Sequence, residues 1–162
     1  MKYFFITQGT KELLEKIMQQ HANEEMHLFH NDITSILVHE TTKKSIFTEP
    51  RKYVVVESSG QLISEGFIIL HYVPVTDEGR PVFEFQFKRQ HSFIENSSGL
   101  IALKLLRPME NDTYIVLSQW QNEKSFEAGK KNFSSTLIDK NQQTPLYPRP
   151  SYIKRFYSHI DE

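Results

Sequence analysis

The chain has 162 residues, 38% hydrophobic and 24% charged, with 20 acidic side chains against 19 basic for a net charge of -1. That is the composition of an ordinary folded protein, and it excludes disorder, collagen-like repeats and a whole-molecule field that would recruit nucleic acid or an anionic membrane. The absence of cysteine removes disulfides, thiolate metal sites and cysteine nucleophiles, and suits a reducing compartment.

The opening MKYFFITQG has an apolar run too short for a signal peptide, and no later stretch is long and apolar enough to span a bilayer, so a cytoplasmic protein is expected. KYFFIT (2–7) has strand composition. Gly9-Thr10 then offer a turn and an N-cap for a helix whose Leu13, Leu14, Ile17 and Met18 share one face. MHLFH and ITSILVHE follow as strands around the Asn31-Asp32 turn. They carry His27, His30 and His39, whose spacing fits no compact metal-ligand pair, and surface or rim positions are expected for all three. EPRKYVVVESSG (49–60) pulls two ways: Val54 to Val56 favour a strand, whereas Pro50 at a first-turn position favours a helix, and the helix is the reading adopted. Ser58-Ser59-Gly60 and Ser64-Glu65-Gly66 make the one plausible seam. A small α+β N-terminal domain (1–63) and a second domain (64–162) are expected.

FIILHYVPV (67–75) reads as a strand with an imidazole, His71, at its centre. Thr76-Asp77-Glu78 with Pro81 open a helix running to about Asn96. Within it VFEFQF alternates like a strand, yet Phe83, Phe87 and Ile94 share a helical face with Val82 and Phe93 beside it. Phe85 is left opposite, for another domain or subunit to cover. GLIALKLLR and TYIVLSQW form a hairpin around residues 109–112. NEKSFEAGKKNFSSTLIDKNQ (122–142) spaces Phe126, Phe133 and Leu137 as a helix does, with Gly129 inside it costing about 1 kcal/mol relative to alanine. TPLYPRP leads to a last strand, SYIKRFYSH, and the basic surplus over residues 124–159 reads as a solvated face. From residue 66 the order strand, helix, strand, strand, helix, strand is the ferredoxin-like α+β arrangement. Apolar residues on both sides of its strands imply that the sheet packs on a partner subunit as a dimeric α/β barrel.

GFIILHYVPVTDEGRPVFEFQFKRQ, GLIALKLLRPMENDTYIVLSQW and YPRPSYIKRFY resemble the antibiotic biosynthesis monooxygenase (ABM) fold, and within it the two-domain branch of Gram-positive haem-degrading monooxygenases. MKYFFITQGT, ITSILVHET and IFTEP resemble that branch's added N-terminal domain, a plan shared with the staphylococcal target of RNAIII-activating protein (TRAP). The resemblance implies a haem cofactor or a similar small planar ligand in the cavity of the second domain, and a homodimer formed through that domain's sheet. Haem-degrading members work with an asparagine on the first strand, a tryptophan on the second helix and an iron-ligating histidine further along that helix. Matched by position, these catalytic residues fall on His71, Gly129 and Asp139, so all three differ. The changes remove the usual nitrogen donor to iron and the bulk that presses on the porphyrin in this family.

His71 shares a strand face with Phe67, Ile69 and Val73, and the resemblance points that face, with Phe126 of the second helix, at the ligand. His71 is thus a candidate iron ligand; the other reading is a core histidine satisfied by hydrogen bonds. Lys88, Arg89 and His91 stand where relatives place cations near the haem propionates, or else form an exposed helix face. Where TRAP carries its discussed phosphohistidines, this sequence has Glu65-Gly66, Gly79-Arg80 and Arg149-Pro150, so that mechanism does not carry over. Two functions remain: a haem-degrading monooxygenase with an altered triad, or a non-catalytic binding protein for signalling or the oxidative-stress response.

Overall fold

The computed structural model describes residues 1–136 and 146–159. The first half runs β1 (Tyr3–Gly9), α1 (Lys11–Gln20), β2 (Met26–His30), β3 (Ser35–Thr41) and β4 (Arg51–Gly60). The second runs β5 (Phe67–Pro74), α2 (Arg80–Glu95), β6 (Leu100–Pro108), β7 (Thr113–Trp120), α3 (Glu123–Thr136) and β8 (Tyr152–Tyr157). Thr10 caps α1, its hydroxyl accepting from the Leu13 amide at 3.2 Å, and Pro81 sits in the first turn of α2. The strand β4 corrects the helix expected over 49–60. Its β-branched run has ladders waiting on both sides, β1 at Arg51 to Val54 and β6 at Tyr53 to Gly60. Pro50 precedes the first ladder position, where a missing N–H costs nothing.

The eight strands of the described residues close one barrel in the order β1-β3-β2-β8-β5-β7-β6-β4. The second half contributes β8-β5-β7-β6, the ferredoxin-like order, and the first half contributes β4-β1-β3-β2, the same order again. The interior is shared: Phe4, Ile6, Phe29, Ile36 and Val38 pack with Ile68, Leu70, Ile115, Leu117 and Phe156. The inner sheet face of the second half, expected to bury a partner subunit, is therefore buried by the chain's own β1 to β4. A homodimer through that face is corrected to an intramolecular closure, because the apolar surface that called for a partner is already out of water.

Outside the barrel, α2 and α3 cover Phe67, Ile69, Leu103, Leu105 and Val116. The first half is covered by α1 and by Phe47 of the β3–β4 loop, over Phe5 and Leu37. Phe83, Phe87 and Ile94 of α2 are buried as their spacing requires, and Phe85 stands 61% exposed. His27, His30 and His39 are buried, not on the rim. Two of them are accommodated by an oxygen acceptor or donor: His30 Nδ1 lies 2.6 Å from Ser35 Oγ, and His39 Nε2 lies 3.1 Å from Glu24 Oε2. Among the described residues no group of three metal-capable side chains forms, and no helix is long and apolar enough to cross a membrane.

Candidate functional site

His71 sits in the middle of β5, opposite Val116 of β7 and Ile153 of β8, so its side chain leaves the sheet on the helix-covered side with Phe67 and Ile69. It is half-buried, and its Nε2 lies 3.2 Å from Ser151 Oγ at the entry to β8. Burial pushes its pKa down to about 4. The ring is therefore neutral near pH 7, one nitrogen donating and the other accepting, and the Ser151 hydroxyl can take either complementary role. Phe67 and Ile69 are almost fully buried, and the Phe67 ring packs 5.9 Å from that of Phe126 on α3.

The glycine at 129 has a spatial explanation. A Cβ there would lie 2.8 Å from Trp120 Cη2 and 3.0 Å from Cζ3. Trp120, at the end of β7, is wholly buried; its Nε1 donates to Ser118 Oγ at 2.9 Å, and its ring meets Phe126 edge-on at 5.8 Å. The bulk that position 129 lacks on the helix is supplied from the sheet. The sequence held the signal, a mid-helix glycine and the chain's sole tryptophan, but only the packing joins the two. Asp139 lies outside the described residues.

The cationic set is dispersed. Lys88 and Arg89 are exposed, and Arg89 lies over the Phe85 ring at 5.8 Å, on the outer side of α2. His91 turns toward β4, its Nε2 2.5 Å from Ser59 Oγ and its Nδ1 3.5 Å from Glu95. In the barrel order β6 and then β4 lie beyond β7 from β5 and β8, so His91 and His71 stand on opposite sides of the helix-covered face. A haem needs an axial imidazole with one ring nitrogen aimed at open space, and cations at its carboxylates. Here Trp120 fills the space under residue 129, Ser151 engages His71 and the cations point elsewhere. The described residues do not fit that group.

Sequence reasoning also missed the polar anchor of α2. Glu84 receives Arg107 Nε and Nη2 at 2.8 and 2.7 Å together with the Tyr114 hydroxyl, and this holds the helix over β6 and β7.

The family described as antibiotic biosynthesis monooxygenase matches residues 66–132. A haem-degrading monooxygenase of Listeria monocytogenes is 30% identical over 132 residues, which is 82% of this chain and 79% of that protein. The chain belongs to the antibiotic biosynthesis monooxygenase family. A second kind of relative is the signal transduction protein TRAP of Staphylococcus epidermidis, 26% identical over 142 residues, 84% of this chain and 85% of TRAP. A solved structure described as a major regulator of staphylococcal pathogenesis superposes with a TM-score of 0.89 over 98% of this chain and 99% of its own, at 19% identity. That likeness establishes a shared fold of barrel and helices, and nothing about chemistry.

Proposed function

We propose that this ABM protein is a non-catalytic binding protein, nearer in behaviour to TRAP than to a haem-degrading monooxygenase. The observation that carries the reading is the Trp120 indole lodged against Gly129, which occupies volume under α3 with packed side chain. The substitutions at the three family positions point the same way. The binding element is the His71 and Ser151 pair, a neutral imidazole and a hydroxyl beside the 40% exposed Ile153, suited to a small uncharged planar molecule with a hydrogen-bonding edge. A cytoplasmic setting belongs to the proposal, in keeping with a cysteine-free chain. Assembly into a homodimer would use an outer surface such as Val82 and Phe85 on α2, since the inner face is closed.

Haem degradation is the second reading, favoured by the Listeria relative and by the neutral state of His71. A haemin titration followed by absorbance separates the two, with His71→Ala beside the wild type and ascorbate plus catalase added at the end. No sharp saturable Soret band is expected. A band that moves in His71→Ala and decays under reductant would establish the second reading and overturn the first.

A further inference from the structure

The barrel has an opening that the family site does not use. β4 outruns β1: the two pair only from Arg51 to Val54, so the end of β4 faces a gap instead of a strand. Gly60 has φ +70° and a Cβ there would meet the Ile101 carbonyl oxygen at 2.2 Å, so only glycine lets the chain turn across this mouth. Behind it lies a pocket of about 240 Å³.

The pocket's chemistry is unusual for a barrel interior. Lys104 of β6 points inward and is 2% exposed. Its ammonium donates to both oxygens of Glu40, at 3.2 and 3.1 Å, and to Ser58 Oγ at 2.9 Å, which uses all three of its hydrogens. The Glu40 carboxylate keeps acceptor capacity beyond those two bonds. His27 of β2 lines the same space and is nine-tenths buried; its Nε2 lies 3.6 Å from Glu25 Oε1, and its Nδ1 has no hydrogen-bond partner. His39 Nδ1 is buried and unpartnered as well, but His27 lines an open pocket, where a ligand would supply the missing partner. A buried ion pair is a poor source of stability compared with a packed apolar pair, so its presence in the barrel calls for an explanation too.

Binding explains both. The rim carries one charge of each sign, Lys2 and Glu25, while the floor is apolar, made by Phe4, Val38 and Leu62. Two carboxylates and two ammonium groups balance, so the pocket favours neither a simple anion nor a simple cation. We propose that this pocket binds a small zwitterion of the α-amino-acid class. Its carboxylate is directed to Lys2, its ammonium to Glu40 and Glu25, its short aliphatic side chain to the floor, and His27 adjusts its tautomer to the polar end. The site lies inside the barrel, away from His71, and the inference does not depend on the function proposed above.

The test uses the full chain with its histidine rings observed by ¹H–¹⁵N NMR and its thermal midpoint followed in parallel. The probes are L-alanine, L-valine and L-leucine, with isobutylamine and isobutyrate as half-molecules. A saturable shift of the His27 ring signals with a concentration-dependent rise in Tm is expected from at least one amino acid and from neither half-molecule. The double variant Lys2→Ala/Glu25→Gln removes both rim charges, Glu25 being also the neighbour of His27 Nε2, and should weaken binding at least about tenfold, since two charge-assisted contacts are lost. Three results overturn the proposal: no His27 shift with any of the three amino acids, equal binding by a half-molecule, or undiminished binding by the rim variant.

Discussion

Gly129→Ala is the substitution on which the packing account depends. On an exposed helix the change would stabilise by about 1 kcal/mol, because alanine loses less backbone entropy and is the better helix former. Here the new methyl would stand 2.8 and 3.0 Å from two Trp120 ring carbons, closer than carbon atoms approach without displacement. The indole cannot slide away freely, since it is wholly buried, hydrogen-bonded to Ser118 and wedged against Phe126. Forcing an extra methyl into such a site costs about 1–3 kcal/mol. Set against the propensity gain, the net expectation is a destabilisation of about 1 kcal/mol. Urea unfolding reads this directly, and Trp120, the sole tryptophan, supplies the fluorescence signal. In the background Trp120→Leu, followed by circular dichroism, the clash is gone and Gly129→Ala should stabilise. The two substitutions should therefore be coupled by 1 kcal/mol or more, within the range of about 0.5–3 kcal/mol seen for residues in contact. Stabilisation by Gly129→Ala in the wild-type background would refute the reasoning.

Lys104→Met should cost about 3–5 kcal/mol by leaving Glu40 without its buried partner, and Lys104→Met/Glu40→Leu should recover most of it; denaturant midpoints that rank the double variant below the single one count against this account. The folded pKa of His71, about 4, lies below its ordinary 6.5, so the unfolded chain takes a proton that the folded chain refuses. Its contribution is intact above pH 6.5 and is lost as pH falls toward 4, by up to about 3 kcal/mol; His71→Gln should flatten that part of the stability profile, and an unchanged slope means the ring is not desolvated. Tyr114→Phe removes one donor from Glu84 while Arg107 still holds the carboxylate, so a loss of about 1 kcal/mol is expected from thermal or urea unfolding.

Much of the local structure was legible because its signals are local. The 3.6-residue spacing of Phe83, Phe87 and Ile94 outweighed the alternation of VFEFQF, and Thr10 marked the start of α1. The segment 49–60 misled because its strand is selected by ladders from β1 and β6, and β6 lies far along the chain. The closure of the barrel was hidden for the same reason. Strands apolar on both faces announce only that both faces need covering, and a second subunit or the chain's own first half satisfies that need equally. In the site, the face of His71 followed from strand alternation, whereas the meaning of Gly129 required knowing that a β7 side chain ends beneath α3.

One chain that builds both halves is freed from the symmetry of a homodimer, in which every residue change appears twice. The register shows what that freedom has produced. Glu40 pairs with Phe4, the second residue of β1, and Gln119 pairs with Ile68, the second residue of β5, so the two occupy corresponding places in the two halves. Both point into the barrel, yet they do different work. Glu40 holds the buried ammonium of Lys104 across the boundary between halves. Gln119 instead ties down the connection between them, accepting from the Ile63 amide at 2.9 Å and donating to the Ile63 carbonyl at 2.8 Å. In a symmetric dimer a glutamate at this position would put a second carboxylate at the related site, and each would need its own cation inside the barrel. With the positions independent, a single ion pair and a single polar mouth suffice, and the neutral amide at the other position secures the connecting segment that makes a one-chain barrel feasible.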